Sequence, residues 1–114
     1  MYDLTIDKLL AIVILKDAKW IISDRDGWTI GLYPRKANGA MCSMDDRRAV
    51  RFSATAAVTH ATESNGCGYS TSSAIIRLLN QHAERRSIAW VNDYLGRWAA
   101  IEVIEKTIEA LKRA

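Results

Sequence analysis

Trp90-Val-Asn-Asp-Tyr-Leu-Gly96 leads directly into Arg97-Trp98 and an amphipathic run, and the reading of this stretch decides the fold. Beyond Gly96, Ile101, Ile104, Ile108 and Leu111 recur at i, i+3, i+7 and i+10, with Ala100 and Val103 beside them, so one face of a last helix belongs to the core. Opposite that face, Glu102 stands four residues before Lys106 and Glu109 four before Arg113, a solvated side on which each pair adds ~0.2–0.5 kcal/mol. A helix with so marked an apolar stripe needs other helices to cover it.

The segments upstream supply them. Ser87 caps a short helix holding Ile88, Trp90 and Val91. Another helix starts near Ser70-Thr-Ser-Ser73, presents Ile75, Ile76, Leu78, Leu79 and Ala83, and stops at the basic corner Glu84-Arg-Arg86. Asp45 or Asp46 is expected to cap a helix running to about His60, whose middle, Ser53-Ala-Thr-Ala-Ala57, is built of small residues that let neighbouring backbones approach. The loop Glu63-Ser-Asn-Gly-Cys-Gly68 ends it. The first helix is expected from a Thr5 cap, with Asp7 in its first turn, through Lys16. Its run Leu9-Leu-Ala-Ile-Val-Ile-Leu15 leaves little polar face, so the rest of the domain or a second subunit should cover it.

Ser23 to Asp46 reads differently. Asp-Arg-Asp-Gly27 and Ala-Asn-Gly39 are turn signals with Pro34 between them, which excludes helix. Trp28-Thr-Ile-Gly-Leu-Tyr33 alternates like a short strand, and Asn38-Gly39 is placed to close a hairpin onto Ala40-Met-Cys42. The expectation is a mainly α fold: a bundle of about four to five helices with an irregular arm or short β-hairpin between the first two, over one domain, residues 1–114.

Composition fits that reading. Apolar residues make up 49% and charged residues 25%, the balance of a folded globular chain rather than a disordered one. Sixteen basic against 13 acidic side chains give a net charge of +3, which permits a polyanion partner without requiring one. The seven-residue apolar run is too short to span a bilayer and is flanked by charge, so the expected location is cytoplasmic, without membrane contact. Cys42 and Cys67 describe no disulfide framework, and two free thiols are expected.

Several short motifs together resemble a known group. Gly27-Trp28-Thr29-x-Gly31, then Asn38-Gly39, then Asp46-x-x-Ala49-Val50-Arg51-Phe52-Ser53, and last Trp90-x-Asn92-Asp93 with Gly96-Arg97 are similar to an uncharacterised family of small bacterial and phage proteins. The resemblance implies a compact, mostly helical domain and transfers no catalytic residue. Two positions depart from it. Ser53 and Ala56 stand where members carry a cysteine and a glycine, and Trp98 where members carry a helix-capping threonine.

Four sets of candidate residues follow. Asn92 and Asp93 are read first as builders, accepting bonds from the amides of the turn that feeds Gly96 into the last helix; the chemical alternative makes Asp93 a general base with Asn92 positioning a substrate. Trp98 and Tyr94 stand where polar residues would cap and mark a protein interface. Arg47, Arg48 and Arg51, expected in the first two turns of the small-residue helix with Arg35 and Lys36 upstream, would contact phosphates if they converge, Trp28 or Tyr33 offering a stacking surface. The alternative is a solvated rim paired to Asp45, Asp46 and Glu84. His60, His82, Cys42 and Cys67 lack the tight local pairs of a zinc site, so no metal and no cofactor is expected, and the histidines are assigned to helix C-terminal carbonyls. The leading functional expectation is a non-enzymatic interaction domain acting as a homo-oligomer or with another protein. A nucleic-acid-associated protein is the alternative, and a small enzyme centred on Asp93 the third.

Overall fold

The computed structural model describes residues 7–114. Asp7, not Thr5, is the observed first cap: its carboxylate accepts from the Leu10 amide at 3.1 Å, and α1 runs over Lys8–Ser23, about two turns beyond Lys16. Thr5 itself lies outside the described residues. The helices α2 (Ala54–Ser64), α3 (Tyr69–Gln81), α4 (Ile88–Trp90) and α5 (Arg97–Arg113) complete a mainly α fold with a small antiparallel strand pair, as expected.

α1 is the central element, flanked by α2 and α5. Ala11, Ile14, Leu15, Ala18 and Ile22 form its inner face, and they meet Ala54, Ala57, Val58 and Ala61 of α2 and Ala100, Ile104 and Ile108 of α5 in one continuous core. The alanines keep α1 and α2 close, which is what the small-residue middle implied. α5 runs antiparallel to α1: Lys8 bonds the Ala114 carbonyl, Lys19 pairs with Glu105 at 3.0 Å, and Arg97 bonds the Ser23 carbonyl. Along the outer face of α5, Glu102 pairs with Lys106 at 3.6 Å as expected, but Glu109 pairs with Lys112 rather than Arg113.

The largest departure lies before α2. Residues 45–52 form no helix. The Asp46 carboxylate accepts from the Arg48 amide at 2.9 Å while the Ala49 amide bonds the Asp46 carbonyl at 3.1 Å, which closes a turn. The β-branched and aromatic run that follows is extended, with strand β2 at Ala49–Arg51 paired antiparallel to β1 at Arg35–Lys36. Ser53 is the true cap, its hydroxyl accepting from the Ala56 amide at 3.2 Å. At the far end Gly66, at φ +76°, lets the Cys67 amide reach the Thr62 carbonyl (3.0 Å) and stops α2.

The arm is irregular, as expected, but its pairing is not. Asn38-Gly39 does turn the chain: the Lys36 amide bonds the Ala40 carbonyl at 2.9 Å and the Cys42 amide bonds that of Pro34 at 3.0 Å. Residues 28–33 form no strand; only Trp28 bridges to Phe52. A turn over Arg25–Gly27 tucks beneath the end of α1, where a β-carbon on Gly27 would lie 2.3 Å from the Ile21 carbonyl oxygen. Only glycine fits there.

Candidate functional site

Asn92 organises the molecule's most connected polar cluster. It sits in a π-helical turn, Val91–Leu95, that extends α4 and closes with the Gly96 amide on the Val91 carbonyl at 3.1 Å. Such turns are rare and displace side chains from ordinary helical register. Asn92 is fully buried, and its carboxamide is used on both sides. Oδ1 accepts from the Trp28 indole Nε1 at 2.8 Å and from the Ala54 amide at 3.0 Å; Nδ2 donates to the Thr29 carbonyl at 3.2 Å and to Asp93 Oδ1 at 3.0 Å. Asp93 Oδ1 also accepts from the Gly31 amide at 3.0 Å.

The pair therefore builds, but at a different joint from the one expected. It does not cap the turn into α5. It fastens the arm and the first amide of α2 to α4, across more than thirty residues in each case. The Gly27–Gly31 segment and Phe52 thus meet Asn92-Asp93 in space, because Phe52 also bonds Gly27 and Thr29 through its amide and carbonyl, at 2.9 and 3.1 Å. As a general base Asp93 is poorly placed, since one oxygen already takes two bonds and its side chain lies at the surface rather than in a cleft.

Tyr94 and Trp98 stand at the corner where the π turn meets α5. They are 73% and 68% exposed, with Leu95 between them at 60%. Both rings are nonetheless held. Tyr94 lies against Trp90 with centroids 5.4 Å apart, Arg97 sits 4.5 Å over Trp98, and Arg86 lies 4.3 Å over Trp90. Gly96, at φ +96° and ψ 179°, makes the bend that presents them, a conformation nearly closed to other residues.

The arginines do not occupy helical turns. Arg47 and Arg48 lie in the turn before β2 and Arg51 on β2, because the helix starts only at Ala54. Arg48 folds back on Asp46, its Nε and Nη2 each 3.1 Å from a carboxylate oxygen, which holds the Asp46 carboxyl below its usual range and raises the Arg48 guanidinium. Arg51 faces Arg35 across the strand pair, and its Nε is buried without a hydrogen-bond partner. Trp28 is committed to Asn92, so of the two proposed stacking rings only Tyr33 lies free on the surface.

The histidines and cysteines stay apart. His60 stacks on Phe52, centroids 4.8 Å apart, rather than meeting C-terminal carbonyls, since α2 continues past it to Ser64. His82 does sit at the end of α3, yet its Nε2 is buried with no partner. Burial, aided by Lys106, lowers its pKa from 6.5. Cys42 and Cys67 are free thiols, and among the described residues no group of side chains could hold a metal ion. Among those residues, too, no helix is long and apolar enough to cross a membrane.

No protein family, curated protein or solved structure matches the chain. Sequence reasoning named Asn92, Tyr94, Trp98, Trp28, His82 and Gly27, but it gave Trp28 to base stacking rather than to Asn92 and His82 to helix carbonyls rather than to an unpartnered site, and it read Gly27 only as a turn signal. For Trp28 the one available signal was a large aromatic directly after the Asp26-Gly27 turn, a place where surface chains seldom spend an indole.

Proposed function

We propose that this chain is a protein-interaction domain that self-associates through the corner formed by Tyr94, Leu95 and Trp98. The observation that carries the reading is the exposure of these three neighbouring side chains on rings already fixed by Trp90 and Arg97. Ordered, exposed aromatics lose little side-chain entropy on docking, which favours them as anchors at interfaces. Membership in the family of small bacterial and phage proteins belongs to the same proposal and rests on the short sequence motifs alone.

The partner favoured here is a second copy. A twofold contact between two such corners brings each apolar patch onto its equivalent, the commonest arrangement for identical chains. The inner face of α1 is enclosed within one subunit and needs no partner, while a stripe of Leu9, Val13 and Trp20 stays exposed on its outer face. Sedimentation at micromolar concentration should show a dimer that Trp98→Glu dissociates without loss of helical content, while Trp20→Glu leaves it intact. A monomer throughout that range refutes the proposal, and dissociation by Trp20→Glu alone moves the interface to α1.

A second reading rests on the strand pair. Arg35 and Arg51 oppose each other, and among the described residues neither Arg47 nor Arg51 has a carboxylate partner, so an anionic backbone would relieve like-charge crowding there. Salt-sensitive binding to mixed DNA or RNA fragments, lost in Arg51→Gln, would support it. Absence of binding at low salt would end it.

A further inference from the structure

Tyr94, Leu95 and Trp98 are too small a surface to hold two chains together by themselves. A specific interface buries ~800 Å² on each partner. Two rings of ~150–250 Å² each, 73% and 68% exposed, with Leu95 beside them, supply roughly half of that. The remainder must come from surface continuous with the corner, and Leu95 shows where it lies. Besides standing at the corner, Leu95 walls a cleft of about 350 Å³ between the α3–α4 loop and α5, with Val91, Ala99 and Val103 at its floor. A space of that volume is at the lower end of small-molecule sites, room for one large side chain rather than for a helix. Within one subunit those apolar walls are left to water, and covering them is favourable.

We propose that the occupant of this cleft is the Trp98 indole of a second copy of the chain, so that each subunit of the dimer places its ring in the other's cleft. The inference rests on self-association through the aromatic corner and adds how the two corners engage. Of the two exposed rings, Tyr94 already lies against Trp90 of its own subunit, whereas Trp98 is covered on one face only, by Arg97 at 4.5 Å, and keeps the other face and its outer edge for docking. Trp98 stands on the same first turn of α5 as Ala99, so knob and cleft lie side by side about Leu95, and a twofold axis through that point exchanges them. The charges match as well. Glu84 and Glu102 on the rim share a single ammonium, that of Lys106, at 3.5 and 3.6 Å, and the Arg97 guanidinium that accompanies the indole brings a cation to those two carboxylates.

Filling the cleft tests the docking apart from the corner. Ala99→Phe occupies it from the floor and Glu102→Phe from the rim, both at helix positions open enough to take the larger side chain, and circular dichroism checks that each variant folds. Measured by sedimentation, the dimer dissociation constant should rise about thirtyfold in each, as it should in Trp98→Ala, the loss expected of an anchor residue. The decisive step is to mix Trp98→Ala, which keeps its cleft but has no ring, with Ala99→Phe or Glu102→Phe, which keep the ring but have no cleft. Each parent alone forms neither contact. The mixture forms one, so the heterodimer should be several-fold tighter than either parent homodimer. A dimer that Trp98→Glu dissociates while both cleft-filling variants keep wild-type affinity would overturn the docking and leave the corner as the interface. Mixtures as weak as their parents would overturn it in favour of ring against ring, and a wild type that stays monomeric removes the interface and the docking together.

Discussion

Replacing Asn92 by alanine should cost far more than the loss of one helix cap. The side chain is fully buried and makes four hydrogen bonds, three of them to groups at distant positions in the chain. Truncation strands the Ala54 amide, which lies in the core at the start of α2, together with the Trp28 indole N–H and the Thr29 carbonyl. A buried amide without a partner costs ~1–3 kcal/mol, and the two partly buried groups, which water can reach as the arm loosens, about half as much each. The vacated carboxamide volume adds a smaller cavity penalty. The total is about 3–5 kcal/mol, against the ~0.5–2 kcal/mol of a lost cap. For a domain whose whole stability lies at ~5–15 kcal/mol, that is enough to lower the urea midpoint severely. Urea unfolding followed by far-ultraviolet circular dichroism gives the global cost, and tryptophan fluorescence reports the release of Trp28. If the arm detaches first, fluorescence will change at lower urea than ellipticity. A loss below about 1 kcal/mol with coincident transitions would refute the reasoning, because it would mean that the arm and α2 hold their places without the carboxamide.

Other variants test other joints. Gly27→Ala should destabilise by about 1–3 kcal/mol or more in thermal melts, since the added carbon meets the Ile21 carbonyl oxygen at 2.3 Å; a melt at the native temperature would show that the turn can shift freely. Ala56→Leu should overpack the core around α2 by a similar amount, and native stability in that variant would mean the helix contact has slack. His82 predicts a pH dependence. Its folded pKa lies below the unfolded 6.5, so its contribution to stability is complete above about pH 6.5 and falls as pH drops toward the folded value. His82→Phe should flatten the stability profile over that window, and an unchanged slope would show that the imidazole titrates alike in both states.

What the sequence determined by itself was everything whose cause is local. The apolar periodicity of α5, the Ser87 cap, the small residues of α2 and the Asn38-Gly39 turn are each written in a few neighbouring residues, and each stands as read. The start of α2 marks the limit of such reading. Asp46 and Ser53 are both good caps, and the choice between them rests on the pairing of β2 with β1 and of Phe52 with Gly27 and Thr29, partners more than twelve residues away. Asn92 shows the same limit: a carboxamide can serve a neighbouring turn or a distant indole with equal chemistry, and nothing within a helical turn of it names Trp28. Burial decides such cases, because a polar group enclosed by the fold must take whichever partners the packing brings, and packing is a property of the whole chain. His82 follows from the same rule, since its unpaired nitrogen and its lowered pKa arise where α3 ends against α5, a meeting that no spacing in the sequence encodes.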